Sequence, residues 1–268
     1  MSHSNETGNP IQVISILWGK KYTEKDVNRL YSMIQRKTSR EISFHTFTDE
    51  ELPDLDPAIF KHPEPGLATK AEHAEYNYRK EAALCDDSLG DLNGERVFFF
   101  DLDVLITEDL DALFDYPESD GFYIINDWNT KGDHVGQASC YSFVVGTLGH
   151  IKSYFEENAD AVIEKFGTAS QEYLSDQVIK YQGALKFWPK EWCRSFRFHC
   201  LPIGPLRHFK IPHKPDPGTK VLVFHGHPDL EDAINGTWGK PGERKAARGW
   251  KKIYKLCLPT PWVSEYWR

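Results

Sequence analysis

The segment spanning residues 96–106 constrains this chain most. Val97-Phe-Phe-Phe100 is an apolar run with no polar residue in alternation, closed by Asp101-Leu-Asp103. A strand of that kind is stable only where both of its faces are covered, as at the centre of a parallel sheet with helices on either side. The run therefore demands a layered α/β architecture. The opening of the chain agrees. Residues 11–17 are mostly Ile and Val and end at Trp18-Gly19, so they read as a buried strand and a turn. Val27, Leu30, Tyr31 and Ile34 recur at helical spacing, and residues 42–48 read as a second strand. That β-α-β order gives parallel pairing.

Further along, four prolines mark residues 52–66 as a surface loop, and residues 71–85 are expected to be helical. Strands are expected over 121–125, 140–145 and 220–224, with the central strand over 96–106. Helices are expected over 151–166 and 171–182, and a proline-rich loop over 202–218. The 268 residues show no repeat or clear linker. The simplest division is a lead-in (1–10), one α/β domain (11–239) with a mostly parallel central sheet flanked by helices, and a basic, aromatic C-terminal helical appendage (240–268).

Charge and composition exclude several classes. With 40 Asp and Glu against 32 Lys and Arg the formal net charge is −8, a poor match for a phosphate backbone, so no nucleic-acid partner is expected. The apolar runs fall well short of the ~20 residues that span a bilayer. The first ten residues lack a secretory pattern, and the five cysteines form no CxxC pair, so a reducing cytoplasm is expected.

In a strand, residues i and i+2 share a face, so Asp101 and Asp103 are expected to present two carboxylates together where the strand leaves the sheet. Ligands of open α/β sheets bind at that end. Two close carboxylates repel one another, and a divalent cation stabilises both; the plain alternative is a hydrogen-bonded strand end. His225 follows the apolar run 221–224 and adds an imidazole, a set that suits Mn²⁺ better than Mg²⁺ or Ca²⁺, with His227 as the competing ligand. Gly226 between them lets the backbone approach a bound group such as a diphosphate.

Taken in order, Val13-Ile-Ser-Ile-Leu-Trp-Gly-Lys-Lys-Tyr22, Val27-Asn-Arg-Leu-Tyr31, Phe47-Thr-Asp49, Phe100-Asp-Leu-Asp-Val-Leu-Ile106, Asp111-Ala-Leu-Phe114, Asn126-Asp-Trp128, Ser175-Asp-Gln177 and Val223-Phe-His-Gly226 resemble bacterial nucleotide-sugar glycosyltransferases of the GT-A fold, related to glycosyltransferase family 8. The resemblance covers most of residues 13–228. It implies a nucleotide-sugar donor, in the first place a UDP-sugar, a bound Mn²⁺ with Mg²⁺ as the alternative, and transfer to a hydroxyl of a glycan or lipid-linked acceptor. It places base and ribose on Leu17, Trp18, Gly19 and Tyr22, with Asp49 at the end of the second strand. Lys80, or Arg79 beside it, is implied at the diphosphate or sugar, with Gly226 close to the phosphates. Asp101, Asp103 and His225 are implied at the metal, Asp101 nearer the ribose and donor sugar. Asp127, Asp176 and Gln177 are implied at the donor sugar as catalytic candidates; for Asp176 the alternative is a helix cap. Gln137-Ala-Ser139 replaces the family's usual Asn-Ser-Ser, and His227 stands where a lysine often follows His-Gly.

The Asp101-Leu-Asp103 segment is also similar to the nucleophile loop of haloacid-dehalogenase-type phosphatases, in which Asp101 would attack phosphorus. A non-catalytic nucleotide-sugar binding module is the third reading, and retention or inversion stays open. In the C-terminal stretch, Lys240, Arg244, Lys245, Arg248, Lys251, Lys252 and Lys255 face only one acid, Glu243, and Trp250, Ile253, Tyr254 and Cys257 recur at helical spacing. With Trp262, Tyr266 and Trp267 this reads as a basic amphipathic helix able to rest on the inner face of an anionic membrane, or as a helix packed on the domain.

Overall fold

The computed structural model describes residues 9–239 and 255–268, apart from 74, 75, 77, 119, 131 and 133. Its central sheet has seven strands in the order β3-β2-β1-β4-β7-β6-β8: β1 (Ile11–Ile16), β2 (Ile42–Phe47), β3 (Ile59–His62), β4 (Arg96–Phe100), β6 (Tyr123–Asn126), β7 (Gly136–Val144) and β8 (Lys186–Phe187). β1, β2, β3 and β4 pair in parallel, and β7 runs antiparallel to both of its neighbours, β4 and β6. The expected mostly parallel sheet is present.

The apolar run of β4 is covered on both faces. Phe98 and Phe100 pack into one cluster with Val13, Phe44 and helix α1 (Glu24–Gln35). Val97 and Phe99 pack into the other, with Ile14 and helices α3 (Gly149–Phe166) and α4 (Ser170–Gln182). Helix α1 begins at Thr23 in a capping box with Asp26, and its apolar face buries Val27, Leu30, Tyr31 and Ile34.

The strand expected over 96–106 breaks in two. The chain turns at Asp101-Leu-Asp103, Leu102 is buried, and β5 (Val104–Ile106) joins a second sheet, β5-β10-β9, with β9 (Cys193–Ser195) and β10 (Val221–Val223). The break falls at the carboxylate pair: the Asp101 N–H still donates to the Ser139 carbonyl of β7, and Asp103 already borders the second sheet. β10 runs antiparallel to β5, and the Phe224 N–H donates to the Asp103 carbonyl, which brings the exit of β10 beside the Asp pair.

Three other expectations change. The described residues of 71–85 form two short 3-10 turns, Ala71–His73 and Ala83–Cys85, with Tyr76 and Tyr78 outside any helix. Ala82, Ala83, Leu84 and Cys85 are all buried in succession, and a surface helix buries only one stripe. The proline-marked loop contains edge strand β3 between Pro57 and Pro63. β7 starts at Gly136 rather than residue 140; its first residues include Gln137 and Ser139, polar side chains that are nonetheless buried.

The short α-helices α2 (Asp111–Asp115), α5 (Leu230–Asn235) and α6 (Trp262–Tyr266) complete the α-helices among the described residues. Trp262 and Val263 are buried, and Tyr266 and Trp267 pack partly on the same cluster, so these four side chains serve the core. The basic stretch 240–254 lies outside the described residues. No described helix is long and apolar enough to cross a membrane.

Candidate functional site

A cleft of about 450 Å³ opens at the carboxyl ends of β1 and β4, lined by Trp18, Tyr22, Lys80, Glu81, Asp101 and Asp103, with Lys21, Thr168 and Ser170 at its margin. β1 delivers its share through a sharp exit. Leu17 is buried and its N–H donates to the Phe47 carbonyl, so it anchors the turn by its backbone. Gly19 follows at φ +66°, a left-handed conformation that favours glycine. Beyond it the chain re-enters the cleft wall at Tyr22. Trp18 packs against the α3–α4 side of the sheet and Tyr22 against the α1 side, so the two rings flank the opening from different layers.

The floor is polar and tightly connected. Lys80 Nζ donates to Asp101 Oδ2 at 2.6 Å, and Ser139 Oγ donates to the same oxygen at 2.9 Å. Gln137 holds Ser139 in turn: its Oε1 accepts the Ser139 N–H at 3.0 Å, and its Nε2 donates to Ser139 Oγ at 2.8 Å. The Gln-Ala-Ser segment that departs from the family pattern is thus the clamp on Asp101. Burial alone would lower the Lys80 pKa, but Asp101 and Glu81 overcome it and hold the ammonium charged.

Asp103 accepts from the Tyr22 hydroxyl at 3.1 Å, and Lys21 stands 3.8 Å from the same oxygen. Its Oδ1 is buried with no hydrogen-bond partner. Burial, then repulsion from Asp101, pushes its pKa up to about 6. Glu81 was not singled out from the sequence. It is 2% exposed, 3.8 Å from Lys80, and its Oε2 has no partner. Burial pushes its carboxyl up to about 7, against the attraction of Lys80. No motif marks it; its only signal was adjacency to Lys80.

Other candidates lie elsewhere. His225 is half-buried at the exit of β10, its Nε2 2.8 Å from Ser195 Oγ and its ring stacked on Trp128 at 5.6 Å. Burial and then Arg197 hold its pKa below the ordinary value, which keeps the imidazole neutral. Among the described residues, the triads with ligand atoms all within 4.8 Å are Glu72–His73–Asp160 and His227–Asp229–Asp232; Asp101, Asp103 and His225 do not converge so closely. In the second triad, Asp229 and Asp232 form the capping box of α5 and Asp232 binds His227 and Thr237, so these groups already have structural work. Gly226 is exposed at φ +72° with open space around it.

Asp127 follows β6; its Oδ2 accepts the N–H groups of Asn129 and Thr130, and its buried Oδ1 has no partner. Gln177 is 3% exposed in α4, donates to Asp176, and leaves its own Oε1 unpartnered. Asp176 lies in the middle of α4 and pairs with Lys165 at 2.9 Å, so the helix-cap alternative fails. Asp49 is exposed, accepts from the Glu64 N–H, and is outside the cleft lining. Arg79 turns away to Glu64, so of the two neighbours it is Lys80 that enters the cleft.

The donor set can be tested against a divalent cation. Two carboxylates, one with an unpartnered buried oxygen and a raised pKa, fit a hard cation that would replace the missing contact. His225 has its Nε2 engaged by Ser195, which leaves Nδ1 as the nitrogen it could offer a metal.

No protein-family model matches the sequence, and no curated protein matches it. Solved structures do. The chain superposes on a galactosyltransferase, LgtC, in complex with donor and acceptor sugar analogues, at TM-score 0.53 and 13% identity over 82% of this chain and 89% of that one. It also resembles the glycosyltransferase GlyE of Streptococcus pneumoniae TIGR4 (TM-score 0.54, 12% identity, 83% of this chain and 56% of that one). Mouse xyloside xylosyltransferase 1 matches at TM-score 0.51 and 10% identity, over 82% of this chain and 99% of that one. The architecture is therefore that of GT-A glycosyltransferases.

Proposed function

We propose that this protein is a metal-dependent glycosyltransferase that moves a sugar, a hexose in the first place, from a UDP-sugar to a hydroxyl of a glycan or lipid-linked acceptor. One observation carries the reading: two aromatic rings, a charged lysine and a carboxylate pair share one cleft at the strand ends of a GT-A-like sheet. Trp18, with Tyr22 opposite, offers faces for the base, and such stacking contributes ~1–3 kcal/mol. Lys80 offsets negative charge on the diphosphate and on the leaving nucleotide as the bond from sugar to phosphate oxygen breaks. Ser139 and Lys80 hold the carboxylate of Asp101 in place before the donor arrives. Mn²⁺, or Mg²⁺ in its place, held by Asp101 and Asp103 with His225, would neutralise the diphosphate.

Asp127 and Gln177 each bring a buried oxygen without a partner, the kind of acceptor that donor-sugar hydroxyls satisfy. LgtC has an active-site glutamine, replaced by glutamate in one of its structures; Gln177, with its buried unpartnered oxygen, is the residue we assign to such a role here. Asp176, paired with Lys165, is the weaker candidate of that group. Residues 11–239 form the catalytic unit, and action at the cytoplasmic side, with the basic stretch 240–255 as a peripheral contact, completes the proposal.

The test is a screen of UDP- and GDP-sugars for Mn²⁺-dependent release of nucleotide, with water in place of the acceptor. Release from one UDP-hexose supports the reading. No release from any donor, together with hydrolysis of a phosphate monoester, would favour the phosphatase alternative with Asp101 as nucleophile.

A further inference from the structure

Eight large hydrophobic side chains are exposed among the described residues, and five of them fall between positions 198 and 211: Phe198, Ile203, Leu206, Phe209 and Ile211. Ile203 and Phe209 are 84% and 83% exposed. The loop that carries most of them is built and not collapsed. Its base is tied by the His213 N–H donating to the Cys200 carbonyl at 3.1 Å, and by the Trp262 indole donating to the Pro212 carbonyl at 2.8 Å. A 3-10 turn over Gly204–His208 shapes its tip, and Arg207 Nε closes back on the Pro202 carbonyl at 2.8 Å. Compact loops with joined ends commonly carry function.

Charge narrows the partner. From Cys193 to Pro215 the sequence has Arg194, Arg197, Arg207, Lys210 and Lys214 and no Asp or Glu, on a chain of net charge −8. Lys214 is engaged by Glu265, while Arg197 and Lys210 are exposed beside the apolar tips. Aliphatic and aromatic tips ringed by cations match the boundary between acyl chains and anionic headgroups. A protein interface fits less well, because its core is depleted in lysine and buries ~800 Å² on each partner, more than one loop offers.

We propose that the loop between Cys200 and His213 docks this protein on an anionic lipid bilayer, with Ile203 and Phe209 entering the interface and Arg197 and Lys210 meeting the headgroups. This contact is separate from the basic stretch 240–254. Phe198, at the root of the loop, lies against the His225 ring at 5.6 Å, so docking sets the His225 exit of β10 toward the lipid. That last consequence rests on the glycosyltransferase reading; the binding does not.

The experiment is co-sedimentation of the full chain with phosphatidylcholine vesicles, with and without phosphatidylglycerol. The expected result is binding to the anionic vesicles that weakens with salt and is absent on phosphatidylcholine alone. A chain with Ile203→Ser and Phe209→Ser should keep its melting temperature and bind at least tenfold more weakly, as should one with Arg197→Gln and Lys210→Gln. A full-length chain that stays in the supernatant overturns the proposal. So does a serine variant that binds like the parent. Sedimentation velocity without vesicles closes the remaining route: a dimer abolished by the serine substitutions would make a second copy the occupant of this surface and overturn bilayer docking.

Discussion

Glu81 is a carboxylic acid whose ionisation the cleft controls. Its carboxyl keeps its proton up to about 7 in the folded chain, against 4.5 as the ordinary value. Between those values the folded state holds more proton than the unfolded state, so this residue makes stability fall as pH rises through that window. Glu81→Gln removes the effect. The variant should gain on the parent between pH 5 and pH 8, by up to about 3 kcal/mol, in urea unfolding measured without metal. A constant difference across that range would mean that Glu81 ionises normally. At Trp18 the expected outcome concerns the ligand. Trp18→Ala should weaken UDP binding by ~1–3 kcal/mol while leaving the melting temperature close to that of the parent, because the ring is only partly buried.

The strands show how far sequence pattern reaches. β1 and β4 were legible because Ile, Val and Phe dominate them, β2 because its side chains alternate along 42–48, and α1, α3 and α4 because their apolar residues repeat at helical spacing. The Asp101-Asp103 pair was legible because carboxylates at the end of an apolar run have few other reasons to be there. β7 was read too short because Gln137 and Ser139 face Asp101 from inside the sheet, and periodicity counts them as surface. The failed helix over 71–85 has the same origin in reverse, a stretch whose alanines and leucine satisfy helical propensity but are buried in succession. Glu81 and the Ser139 clamp depend on contacts between distant segments, which no local pattern carries. His45 on β2 gives this scale a test of its own. Its Nδ1 lies 2.9 Å from His62 on β3 and its Nε2 2.9 Å from Gln12 on β1, and burial, then His62, lowers its pKa to about 4. The unfolded chain takes up this proton first as pH falls below 6.5, so stability present above that value is lost toward pH 4. His45→Gln should flatten the decline by on the order of 2–3 kcal/mol, read from denaturation midpoints between pH 7 and pH 4.

For the whole molecule the decisive feature is the sign of charge around the cleft. Lys21 and Lys80 face Glu81, Asp101 and Asp103, and Asp26, Asp229 and Glu231 line the smaller recess adjoining Asp103, where Trp267 also packs. A nucleoside diphosphate entering alone would meet more carboxylate than ammonium. Nucleotide and divalent cation are therefore expected to bind together, each supplying what the other lacks. Calorimetric titration of UDP into the full chain, once with Mn²⁺ and once with EDTA, measures this directly. Affinity at least tenfold higher with Mn²⁺, and loss of that gain in Asp103→Asn with the fold intact, is the predicted result. Equal affinity in Mn²⁺ and EDTA, or an undiminished gain in Asp103→Asn, would contradict it.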